Sequence, residues 1–151
     1  MNRRDFMRRA MGVGTLALVA PRLARAAAPI AMTVYKSPTC GCCKEWIKHV
    51  EANGFACKVI DMNDVTSMKR TARVPRNMES CHTALVGPYV IEGHVPADLI
   101  KRLLASKLAV RGLAVPGMPV GAPGMETGAP PQPYQVMAFM ADGSSRVFAS
   151  R

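Results

Sequence analysis

Three cysteines in four consecutive positions, Cys40-Gly41-Cys42-Cys43, constrain this chain more than any other feature. They sit between a β-prone run, Met32 to Tyr35, and a segment in which Trp46, Ile47 and Val50 recur at helical spacing. Ser37-Pro38-Thr39 breaks the strand, and a helix is expected to begin near Cys42. Asn53-Gly54 ends it, with Gly54 as a left-handed cap. A helix N-terminus favours thiolate through its partial positive charge and free N–H groups, and Lys44 adds positive charge. Gly41 is read as the residue that lets the backbone bend tightly. Thiolates are both nucleophiles and soft metal ligands, so the location fits either role. Cys42 separates them: between Cys40 and Cys43 it would compete in any disulfide relay by thiol exchange, whereas three thiolates in one turn suit a soft ion or several ions bridged by sulfur.

The rest of the chain reads as a short series of alternating elements without an internal repeat. Phe55 to Ile60 is a second strand and Val65 to Thr71 a short helix. Thr83 to Val86 and Tyr89 to Glu92 form a hairpin around Gly87-Pro88. Pro96 is expected at the first position of a helix that buries Leu99, Ile100, Leu103 and Leu104. Gly112 to Pro133 is dense in glycine and proline, a stretch long enough to be functional or disordered. Tyr134 to Met140 and Arg146 to Phe148, joined by Asp142-Gly143, close the chain as a hairpin. This order predicts an α/β, thioredoxin-like core with a mixed sheet, a Gly/Pro-rich loop and an extra C-terminal β-hairpin. The first two strands would be parallel, joined by a right-handed crossover. Cys40 and Cys43 then form a C-x-x-C pair at the position of a thioredoxin-like redox motif.

In such a fold the loop entering the third strand faces the C-x-x-C motif, and redox members usually place a cis-proline there. Here Ser80-Cys81-His82-Thr83 takes that place without a proline. Cys81 is therefore expected to complete a four-thiolate basket with Cys40, Cys42 and Cys43. His82 is a candidate ligand or a hydrogen-bonding partner of one. His94 reads first as a structural histidine and second as a further ligand candidate. Met118 and Met125, on a loop with little core to join, are candidate thioether contacts to Cu(I). Cys57 reads as a small buried residue, His49 as a surface or packing residue, and Met137 and Met140 as packing residues.

Residues 1–26 are set apart. Arg3-Arg4-Asp5-Phe6-Met7-Arg8, an uncharged run from Ala10 to Ala20, and Ala24-Arg25-Ala26 are the three regions of a secretory signal of twin-arginine type. The run is too short and too weakly apolar for a stable bilayer span. The expected domain is then residues 27–151, in the periplasm. The signal holds six of the 20 Lys+Arg and one of the ten acids, so the mature charge falls to about half of +10. Its basic residues are scattered, without interleaved aromatics, which argues against nucleic acid as a partner. Five cysteines, an odd number with three crowded together, also argue against a framework of structural disulfides.

Four segments together resemble a family of small exported copper-resistance proteins, the CopG-like family, long labelled a domain of unknown function. They are Tyr35 to Cys43, Ser80 to Thr83, Tyr89 to Pro96 and Gly112 to Pro119. The resemblance implies a thioredoxin-like fold, a polynuclear copper–cysteine cluster on Cys40, Cys42, Cys43 and Cys81, and association with other periplasmic copper-resistance proteins. It also implies a redox role. The expected function is thus copper resistance through Cu(I) held in a multi-cysteine site. The alternatives are a thiol or copper oxidoreductase working through Cys40 and Cys43, and a structural zinc site, which the adjacent Cys42-Cys43 fits poorly.

Overall fold

A computed structural model describes residues 27–151, and the expected export signal lies outside the described residues. The chain order is β1 (Ile30–Lys36), α1 (Gly41–Ala52), β2 (Phe55–Asp61), α2 (Thr66–Ala72), a 3-10 turn (Arg76–Met78), β3 (His82–Val86), β4 (Tyr89–Glu92), α3 (Ala97–Ser106), β5 (Gly112–Ala114), β6 (Gln135–Phe139) and β7 (Ser145–Ser150). All seven strands form one sheet in the order β2-β1-β3-β4-β5-β6-β7. β1 and β2 are parallel, while β3 pairs antiparallel with both β1 and β4. That half is the expected thioredoxin-like core.

Strand pleating sorts the side chains into two layers. On one face Trp46, Ile47 and Val50 of α1 and Leu99, Ile100 and Leu103 of α3 pack against Val34, Ala84, Ile91, Leu113 and Val136. On the other face Ala72 and the segment after α2, with Val74 and Met78, pack on Val90, Ala114 and Phe139. Trp46 is wholly buried and its indole N–H donates to the Val95 carbonyl at 2.9 Å, tying α1 to the loop before α3.

Three details differ from the sequence reading. The Gly/Pro-rich stretch is not without regular structure: its first three residues form β5, parallel to β4 and antiparallel to β6. This short strand joins the terminal hairpin to the core sheet. Gly112 permits it, because a Cβ there would lie 1.9 Å from the Val90 carbonyl oxygen. Pro96 is the N-cap of α3 rather than its first residue, its carbonyl accepting from Leu99 and Ile100. Proline offers no capping side chain, and His49 Nε2 instead accepts the Ala97 N–H at 3.2 Å. His49 is therefore half-buried and structural, a sharper version of the packing role expected of it. Finally, Gly41 is an ordinary helical residue with open space where a Cβ would stand, so no tight bend depends on it.

Candidate metal centre

The centre forms where the N-terminus of α1 meets the start of β3. Cys40 is the N-cap of α1, and its sulfur lies 3.3 Å from the Cys43 N–H. Cys42 and Cys43 follow in the first turn, with Cys43 buried. Cys81 immediately precedes β3. Cys42 Sγ stands 3.5 Å from Cys40 Sγ and 3.9 Å from Cys81 Sγ. The four sulfurs of Cys40, Cys42, Cys43 and Cys81 all lie within 4.8 Å of one another. The structure thus brings together the four cysteines singled out by sequence. It differs from a basket of four thiolates in one respect: Cys40 and Cys43 are joined as a disulfide. A four-sulfur metal site at this place requires that bond to take up two electrons.

A second donor group shares Cys81. The ligand atoms of Cys81, His82 and His94 also lie within 4.8 Å of one another. His82 Nδ1 is 3.3 Å and His94 Nε2 3.0 Å from Cys81 Sγ. Both rings are fully buried. His82 lies against Trp46, with ring centroids 4.3 Å apart, and meets His94 edge-on at 5.2 Å. The structural role expected of His94 is present, since its Nδ1 hydrogen-bonds the Pro123 carbonyl at 2.8 Å. Its other nitrogen faces the sulfur, which the spacing of the motifs did not reveal. The signal available was only that the Cys81-His82 loop and Gly93-His94 flank one hairpin.

The protons can be assigned by hydrogen-bond logic. A carbonyl only accepts, so His94 carries its proton on Nδ1 and turns the Nε2 lone pair to Cys81. The Cys81 S–H then donates to His94, and His82 Nδ1–H donates to the sulfur. That leaves His82 Nε2 without a partner, the only such buried side-chain nitrogen or oxygen among the described residues. Orphaned buried N–H groups are rarer than under-satisfied acceptors, which favours this tautomer. Burial pushes the Cys81 thiol up to about 12, with a further push from Cys42. Burial also holds His82 well below its ordinary value, helped by His94 and Lys69, and lowers His94. At neutral pH burial therefore favours the uncharged form of all three. A soft or borderline cation would supply the charge that the desolvated thiol lacks and a partner for the His82 lone pair. Sulfur and imidazole donors suit copper or zinc, and sulfur above all suits Cu(I).

The other candidates are placed as follows. Met125 is half-buried, next to Gly124, which lies against the α1 backbone at Cys42 and Trp46. Met118 is 53% exposed. Cys57 is half-buried on β2, packed at the margin of the core, with its thiol pushed up to about 11 by burial and Glu51. This matches a packing role and an unreactive thiol.

The comparisons with known proteins decide the family. Two solved structures, described as copper resistance protein CopG in form 2 and form 1, each match at 44% identity. The match covers 82% of this chain and 98% of each of theirs, with a TM-score of 0.77. The chain belongs to the CopG copper-resistance family. A family model described as "Protein of unknown function, DUF411" matches residues 78–125, which hold Cys81, His82, His94, Met118 and Met125. No curated protein matches the chain. For a CopG family member, a cysteine cluster able to bind metal stands where the sequence motifs put it.

Proposed function

We propose that this chain is an exported, periplasmic copper-resistance protein that binds Cu(I) in a polynuclear site on Cys40, Cys42, Cys43 and Cys81. The observation that carries the proposal is the convergence of four sulfurs within 4.8 Å around one helix N-terminus. More sulfurs than one ion needs, at bridging distances, favour several ions sharing thiolates. His82 and His94 extend the donor set, and Met118 and Met125 are candidate thioether contacts on the covering loop. The fold would shield bound copper from water. Export of a folded chain by a twin-arginine signal fits a protein that acquires its metal or its reduced thiols before crossing the membrane. Among the described residues no helix is long and apolar enough to cross a membrane. Its partners would be copper ions and other periplasmic copper-resistance proteins.

A second reading rests on the Cys40–Cys43 disulfide. The pair can take up and release two electrons, so the protein would be a thiol or copper oxidoreductase. Metal content per chain, measured on anaerobically purified and reduced protein, separates the two. The binding reading expects two or more Cu(I) per chain and a strong loss with Cys42→Ser. Oxidoreductase activity that survives Cys42→Ser but not Cys40→Ser, on protein without copper, would overturn it.

A further inference from the structure

The loop from Gly117 to Met125 packs against α1, Ser80 and His94. It is held together by its own main chain: Ala122 N–H donates to Pro119 O at 3.2 Å, Gly121 N–H to Met125 O at 3.2 Å and Met125 N–H to Ala122 O at 2.7 Å. Ser80 Oγ–H pins its start through the Gly117 carbonyl at 2.7 Å. At its far end Gly124 lies directly on α1. A Cβ there would stand 2.7 Å from Trp46 N, 2.9 Å from the Cys42 carbonyl oxygen and 3.1 Å from Trp46 Cα. All three are backbone atoms of a helix and cannot swing aside. Gly124 also has φ +83°, a left-handed conformation that L side chains rarely adopt. This contact sets the height of the loop over the centre, and the preceding residue, Pro123, presents its carbonyl to buried His94 at 2.8 Å.

We propose that Pro123 and Gly124 are positioning residues for the metal centre. The Pro123 main-chain carbonyl locks His94 in the Nδ1–H tautomer, and the bare α-carbon of Gly124 is what allows that carbonyl to reach it. The lock matters because the two tautomers are opposite in function. With the proton on Nδ1, the nitrogen facing Cys81 is a lone pair that can accept a proton or bind a metal. With the proton on Nε2, the same position would hold a donor that can do neither. The hydrogen bond to a ligand's far nitrogen ordinarily fixes ring orientation and raises basicity. Here a loop distant in sequence from both cysteine motifs supplies it. The importance of the lock for copper rests on the copper-binding reading above; the lock itself does not.

The test uses nitrogen-15 spectra of the reduced, metal-free chain, with Cu(I) affinity measured by competition with a chromophoric chelator. Gly128→Ala is the control, since Gly128 has φ +81° but nothing within 4 Å of a Cβ. The wild-type spectrum should show His94 protonated at Nδ1; protonation at Nε2 overturns the proposal even if no variant folds. Gly124→Ala, checked for folding by circular dichroism, should mix or reverse the tautomer and weaken Cu(I) binding about 10–100-fold. Gly128→Ala should do neither. A folded Gly124→Ala chain with the wild-type tautomer, or equal effects in both variants, sinks the lock. A changed tautomer with unchanged Cu(I) affinity keeps the lock and counts against His94 in the copper site, so the two readings fail separately.

Discussion

His82 and Thr83 are neighbours on β3, yet strand pleating sends them to opposite faces of the sheet, into two buried polar clusters. Thr83 joins a network in which every buried side-chain nitrogen and oxygen has a partner. Lys69 Nζ donates to Glu92 Oε1 at 2.5 Å and to Thr83 Oγ1 at 3.1 Å. Thr83 Oγ1–H donates to Glu92 Oε2 at 2.6 Å, and the Ser80 N–H donates to Oε1 at 2.7 Å. His82 joins the sulfur–imidazole cluster, in which one ring nitrogen has no partner and the sulfurs of Cys42 and Cys81 are free of any disulfide. Both clusters grip the same Ser80–Thr83 segment. The satisfied one fixes where that segment lies, and the unsatisfied one retains donor capacity for a ligand. Polar burial alone therefore does not mark a functional site; unspent hydrogen-bonding or ligating capacity does.

The largest effect expected from this contrast is on the satisfied side. Glu92→Leu leaves the Lys69 ammonium buried without its carboxylate and should destabilise the protein by about 3–5 kcal/mol. Adding Lys69→Met should recover most of that loss. Chemical denaturation of the single and double variants checks both, and a Glu92→Leu cost below about 1 kcal/mol would erase the contrast.

On the unsatisfied side, His82→Leu should change the stability of the metal-free protein by less than about 1.5 kcal/mol, because little hydrogen bonding is lost. The same variant should weaken copper binding. Stability held while metal is lost is the signature of the cluster's role. A cost matching that of Glu92→Leu would mean that the imidazole is a structural brace.

The two clusters also differ in the sign of their pH response. Burial lowers His82 and His94 below their ordinary 6.5 in the folded chain. The unfolded chain then binds more protons, so the stability they contribute is present above about 6.5 and is lost as the pH falls below it. Burial raises Glu92 above its ordinary 4.5, against the pull of Lys69, Thr83 and the Ser80 N–H. Its contribution is present below 4.5 and is lost as the pH rises through the folded value. The histidine contribution to the denaturation midpoint of metal-free protein should fall between pH 7 and pH 5, so the midpoint of His82→Leu should drop less with acid than that of the wild type. An unchanged slope in the variant would remove His82 as its source.

The smallest effect is expected at Met118. With half its surface in water, Met118→Ser should alter stability by no more than about 0.5 kcal/mol. Any loss of copper uptake in that variant would then report on the thioether itself.

The thioredoxin-like half was legible in the sequence because each of its elements carries its own local signal. β1, α1 and its Gly54 cap, β2, α2 and the β3–β4 hairpin all lie within a few residues of their expected bounds. Periodicity, turn residues and caps act over a few residues, and so can be read from a few residues. β5 was not legible. Three residues, one of them glycine, carry no period; Gly112–Ala114 is a strand only because Val90–Glu92 on one side and Met137–Phe139 on the other offer it hydrogen bonds. The place of the terminal hairpin was hidden for the same reason.

The candidate metal centre divides along the same line. Adjacency in sequence alone put Cys40, Cys42 and Cys43 in one helical turn, and the expected fold order brought Cys81 to them. Tertiary structure decided the rest: that Cys40 and Cys43 are joined, that His94 turns a lone pair to Cys81, and that the Pro123 carbonyl holds it there. His94 and Pro123 are far apart in the chain, and neither residue type announces a hydrogen bond to the other. Their meeting depends on the loop height set by a missing Cβ at Gly124 against the backbone of α1. Short-range chemistry is written in neighbouring residues, whereas the tautomer of a buried imidazole is fixed by whatever the packed chain brings to its far nitrogen.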